Sequence, residues 1–97
     1  MNGLVILNLS NMNKNGTLDR ELHKINLLNL QFLNISNNNL REITISSHNF
    51  PKLKEISAAN NLFETAKSFT KLGSLKLIDL ENNLIKDLES IICLAFL

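Results

Sequence analysis

Few side chains in this 97-residue chain are of types that perform chemistry, and their spacing points away from catalysis. Two histidines, His23 and His48, have neither a nucleophile partner nor metal-ligand spacing. The one cysteine is Cys93. Asp79 and Glu81 stand two apart, so on a strand they share a face and could act as paired carboxylates. An open sheet, however, supplies no dry pocket in which to poise them for proton transfer, and a solvated acidic patch is the better expectation. No P-loop or G-x-G-x-x-G cradle occurs, and the chain holds only three Gly. We expect no catalytic residues, metal, cofactor or small-molecule substrate.

The polar residue that does recur at fixed spacing is asparagine. In LKLIDLENNLI, Leu75, Ile78 and Leu80 are followed by Asn83 and Ile85. The same template fits LKEISAANNLF, with Leu53, Ile56, Ala58, Asn61 and Phe63. It fits LQFLNISNNNL, with Leu30, Leu33, Ile35, Asn38 and Leu40. A partial copy has Leu4, Leu7 and Leu9, with Met12 at the Asn position and Lys14 at the last apolar one. The central residues Leu7, Leu33, Ile56 and Ile78 step by 26, 23 and 22 residues. The pattern L-x-x-L-x-L-x-x-N-x-L resembles a leucine-rich repeat. The resemblance implies an α/β fold, a right-handed horseshoe solenoid of about four coils. Its parallel β-sheet lies on the concave face and short helices or turns on the convex face.

Within each unit the L-x-L core is a short strand whose side chains alternate between faces. Asn38, Asn61 and Asn83 stand where the chain leaves the strand. An amide both donates and accepts, so they are expected to satisfy backbone groups that no ladder reaches. One unit cannot bury its apolar face alone. The chain has 16 Asn, more than the motif needs, and nucleotide bias in the source genome is one expected origin of the surplus.

Between strands, Asn15-Gly16 is a turn pair. Thr17 is expected to cap a helix carrying Leu18, Leu22 and Ile25. REITISSHNFPK is rich in β-branched residues and contains Pro51, so extended or short 3₁₀ structure is expected there. Thr65 is expected to cap a short helix with Ala66, Phe69 and Leu72 inward, stopping near Gly73. Ala58 leaves volume that Phe63 or Phe69 is expected to fill. Leu88, Ile91 and Leu94 continue the last unit, and Leu97 would open another. Neither end shows the polar cap that a solenoid needs, so residues 1–97 are read as a repeat domain incomplete at both ends.

Ten Lys+Arg against nine Asp+Glu leave a net charge of +1, without the basic stripe of a nucleic-acid binder. No apolar run approaches the roughly 18 residues of a membrane span. Met1 leads almost directly into a strand, without the look of a signal peptide, and a single Cys forms no intrachain bridge. Sequons at Asn8, Asn15 and Asn34 are what so Asn-rich a chain carries by chance. An intracellular protein, nuclear or cytoplasmic, is expected.

Outward-facing strand positions stack in columns. The first holds Ile6, Phe32, Glu55 and Leu77. The second holds Asn8, Asn34, Ser57 and Asp79. The third holds Ser10, Ser36, Ala59 and Glu81. The expected partner-binding residues are Ile6, Asn8, Phe32, Asn34, Glu55, Ser57, Leu77, Asp79 and Glu81, with Phe32 the anchor because rigid aromatics dominate interface hot spots.

A 22-residue step with apolar residues at Ile85, Leu88, Ile91 and Leu94 looks like the repeats of phosphatase-1 regulatory subunits. Chain order adds a narrower likeness. LVILNLSN followed by the long NMNKNGTLD loop, then Pro51-Lys52-Leu53-Lys54, then LIDLENNLIKDLESI resembles the leucine-rich domain of the acidic leucine-rich nuclear phosphoproteins. That resemblance implies a nuclear, non-enzymatic protein that binds histones and inhibits a Ser/Thr phosphatase. The family's capping helix, C-terminal cap and acidic tail are not in this sequence, which puts histone capture by charge in doubt. An intracellular scaffold is the alternative, and an extracellular adhesive fragment a further one.

Overall fold

The computed structural model describes residues 5–12, 15–18, 27–43 and 49–85. His23, His48, Cys93, Leu22, Ile25, and the expected continuation through Leu88, Ile91, Leu94 and Leu97 lie outside the described residues.

Four three-residue strands form one parallel sheet in the order β1 (Ile6–Asn8), β3 (Phe32–Asn34), β5 (Glu55–Ser57), β6 (Leu77–Asp79). The strands are short, but their ladder runs on past them. The amides of Leu9, Ile35 and Ala58 donate to the carbonyls of Asn34, Ser57 and Asp79 in the next strand, at 2.7, 2.8 and 2.9 Å. Before each of the last three strands a tight turn repeats. Leu30, Leu53 and Leu75 donate to Leu27, Phe50 and Leu72, at 3.2, 3.2 and 3.0 Å. The same apolar pair thus opens each of these units, and all six side chains are buried.

The core is one cluster. Leu33 and Ile56 face in from the strand centres, Ile35 and Ala58 from the positions after them, and Leu40 and Phe63 from beyond the turn. Ile78 and Leu80, in the last strand-bearing unit, are only partly buried against it. Ala58 brings little volume, but Phe63 and Phe69 are fully buried in the same cluster. Their rings meet edge to face with centroids 5.0 Å apart, the geometry that the aromatic quadrupole favours.

The segments away from the sheet differ from expectation in two places. Asn15–Leu18 is a strand, β2, not a helix start at Thr17. It pairs in parallel with β4 (Asn39–Ile43), and the gain from that non-local pairing outweighs the local helical spacing that Leu18 begins. After β5 the helix is a 3₁₀ turn, Lys67–Lys71, with Ala66 rather than Thr65 at its start. The Thr65 hydroxyl still accepts from the Lys67 amide at 3.2 Å. Ala66, Phe69 and Leu72 face inward as expected.

Candidate functional site

The register brings the strand columns together. Ile6 pairs with Phe32, Phe32 with Glu55, and Glu55 with Leu77. Asn8, Asn34, Ser57 and Asp79 align in the same way. Period-two alternation sends Leu7, Leu33, Ile56 and Ile78 inward and leaves both columns on the outer face. Ile6 is 63% exposed and Leu77 58%, although aliphatics on a regular strand are usually covered. Phe32, Glu55, Asn34 and Ser57 are partly buried, and Asn8, Asp79 and Glu81 are exposed. Val5, just outside the first strand, extends the apolar end and is 41% exposed. Strand alternation alone does not flag it.

The second column is partly committed to the scaffold. Asn8 Oδ1 accepts from the Ser10 amide at 2.9 Å and the Ser10 hydroxyl at 2.7 Å. Asn34 Oδ1 does the same for Ser36, at 3.0 and 2.6 Å. Asp79 Oδ1 accepts from the Glu81 amide at 3.0 Å. These are Asx turns that end the strands. The third column is less accessible than expected: Ser36 and Ala59, in the units of the two inner strands with a neighbouring unit on each side, are buried. Only Ser10 and Glu81 at the two ends remain accessible.

The turn asparagines reach across neighbouring repeats. Asn61 Nδ2 donates to the carbonyls of Ala58 and Ala59 in its own unit, at 3.0 and 3.2 Å, and to Ile35 of the preceding unit at 3.0 Å. Its Oδ1 accepts from the Leu40 amide at 3.1 Å. Asn38 serves Leu9, Ile35, Ser36 and the Met12 amide in the same way. Asn83 serves Ala58, Leu80, Glu81 and the Phe63 amide. Each turn is also shaped by the residue just before the ladder position. Asn11, Asn37, Asn60 and Asn82 all have φ of 56–58°, the left-handed region that Asn tolerates better than most residues. The sequence carried this signal, since an Asn precedes the ladder position in all four units. Nine of the sixteen asparagines thus have a turn, ladder or Asx role.

No group of three or more His, Cys, Asp or Glu comes together among the described residues as a metal site would require. Among them, too, no helix is long and apolar enough to cross a membrane.

Residues 29–51 match the family model described as Leucine Rich Repeat. No match to this chain was found among curated proteins or among solved structures. The match supports a leucine-rich repeat protein, and the four-stranded parallel sheet is compatible with a solenoid of such repeats. Leucine-rich repeats commonly mediate protein–protein binding, which fits a protein-binding module.

Proposed function

We propose that this chain is a non-enzymatic protein-binding module, curved as a horseshoe with the four-stranded sheet on its concave face. One observation carries the proposal: the register stacks Ile6, Phe32 and Leu77 in a single outer column while Ile6 and Leu77 stay more than half exposed. A single exposed aliphatic needs no explanation. Ile6 and Phe32 are adjacent in the column and offer a partner apolar area to cover, with Leu77 beyond Glu55 at the far edge. Phe32, partly buried in the outer column, is the anchor.

Glu55, Asp79 and Glu81 gather toward the β5–β6 end of the face, so the partner presents basic groups there. The likeness to the acidic nuclear phosphoproteins makes a histone or a Ser/Thr phosphatase the first partner to test, in the nucleus or cytoplasm. Within these 97 residues, whose net charge is +1, these three acids are the ones on the face that would meet a histone. The 22-residue step from Ile56 to Ile78 supports a phosphatase-regulator-like intracellular scaffold as the second reading.

The test is a calorimetric titration with core histones, and separately with a Ser/Thr phosphatase, at two salt concentrations. Phe32→Ala is expected to weaken binding by roughly 1–3 kcal/mol with little loss of stability. Equal binding by variant and wild type removes Phe32 from the site. Absence of binding to both partners removes the identities but not the face.

A further inference from the structure

We propose a second binding site, independent of the sheet face: a groove between β4 and the 3₁₀ helix that takes a phosphate monoester. Arg41, Lys67 and Lys71 line it together with Glu42 and Thr65, around a volume of about 260 Å³. The whole chain is nearly neutral, yet three cations and one carboxylate converge here from two successive repeats.

A bulge produces that convergence. β2 pairs Gly16 with Leu40 and Thr17 with Glu42, so Arg41 is the extra residue on β4. In an unbroken strand Arg41 and Glu42 would point to opposite faces. The bulge leaves both exposed between buried Leu40 and Ile43, and bulges commonly re-aim a side chain in this way. The 3₁₀ helix then brings Lys67 and Lys71 from its two ends to the same groove. Among the described residues, Arg41 and Lys71 make no ion pair and no side-chain hydrogen bond.

The chemistry selects the ligand class. A guanidinium fork binds a tetrahedral oxyanion through two parallel hydrogen bonds, and ammonium groups add point charges beside it. The Thr65 hydroxyl is a further polar group at the rim. Small-molecule pockets run from about 300 to 1,000 Å³, so this groove suits the charged end of a ligand rather than a whole enclosed metabolite. A phosphorylated side chain and a lipid headgroup share that chemistry.

The experiment is an amide-resolved NMR titration of the 97-residue chain with inorganic phosphate, O-phosphoserine and glycerol 3-phosphate, at ionic strength held constant with chloride. Saturable shifts are expected at Arg41, Glu42 and Lys67, with the Phe32 and Leu77 amides unmoved. Arg41→Gln with Lys71→Gln should weaken binding at least tenfold. Glu42→Gln should tighten it about threefold by removing one like charge. All three residues are exposed, and unchanged urea midpoints verify that the variants fold. Tighter binding of O-phosphoserine than of glycerol 3-phosphate assigns the ligand to a phosphorylated polypeptide, and the reverse to a lipid headgroup. Equal binding of both supports recognition of the phosphate itself. Shifts that chloride alone reproduces, or wild-type affinity in the double variant, overturn the site and leave the sheet-face proposal untouched.

Discussion

Replacing Asn61 with Ala is expected to destabilise the chain by about 2–3 kcal/mol, the upper half of the cost of leaving a buried polar group unpaired. The magnitude follows from which atoms are orphaned. Asn61 is 4% exposed and holds four backbone groups. Three of them keep another donor when it is removed. Ile35 O still accepts from Asn38 Nδ2 at 3.0 Å, Ala58 O from Asn83 Nδ2 at 3.0 Å, and Ala59 O from the Asn37 amide at 3.0 Å. The Leu40 amide has no such substitute in the ladder, and Leu40 is fully buried. The cost is therefore one orphaned amide plus three weakened carbonyls, not four lost bonds. The same reasoning ranks the ladder. Asn83→Ala orphans the amide of buried Phe63 but is itself only partly buried, so water can enter, and it should cost less. Asn38→Ala frees the Leu9 carbonyl and the amide of Met12, in residues that are partly buried and 55% exposed, so water can reach both, and it should cost least. Urea unfolding followed by far-UV circular dichroism measures all three. For Asn61→Ala the loss corresponds to a Tm drop of about 10–20 °C in a domain of this size. A loss below about 0.5 kcal/mol for Asn61, or an order with Asn38 first, refutes the assignment of the cost to the Leu40 amide.

Other outcomes follow from the same geometry. Asn37 sits at φ 56°, so Asn37→Gly should be within about 0.5 kcal/mol of wild type, whereas Asn37→Val should cost roughly 1–2 kcal/mol; urea midpoints compare the two. Phe69→Ala removes half of the edge-to-face pair from a fully buried position and should cost about 3–5 kcal/mol, read from the shift of the thermal transition. Asp79→Asn keeps an Oδ1 for the Glu81 amide and should leave stability within about 0.5 kcal/mol, while Asp79→Ala loses that turn as well. Any loss of partner affinity shared by both Asp79 variants then measures the charge alone, by calorimetry at low and moderate salt.

The strand columns were legible because period-two alternation fixes the outer face once the L-x-L cores are located, and the observed register of Ile6, Phe32, Glu55 and Leu77 matches them. The ladder asparagines were legible for a related reason: a polar amide at a fixed place in an apolar pattern must be meeting backbone. What failed was non-local or conformational. β2 could not be read from Asn15-Gly16-Thr17-Leu18, because its stability comes from a partner strand 24 residues on, while Leu18 begins a plausible helical spacing. Burial of Ser36 and Ala59 depended on their lying in inner units covered by neighbours on both sides, which single-unit alternation does not show. The groove at Arg41 needed a bulge, and no periodicity in the sequence marks one.

The paired asparagines keep the tasks of turning and stitching the repeats away from the sheet face. In Asn37-Asn38, Asn60-Asn61 and Asn82-Asn83 the first residue supplies the left-handed turn and the second stitches adjacent repeats. Both tasks are done beyond the strand ends, so among the described residues the first column, Ile6 through Leu77, makes no side-chain hydrogen bond or ion pair to the scaffold. The second column is not equally free, since Asn8, Asn34 and Asp79 each commit one oxygen to the turn that follows. A partner that reads this face must therefore draw most of its apolar contact from the first column. From the second it can engage only the atoms the turns leave over: the amide nitrogens of Asn8 and Asn34, the Ser57 hydroxyl, and the outer carboxylate oxygen of Asp79. On the proposed reading, the first column supplies affinity and the second orientation.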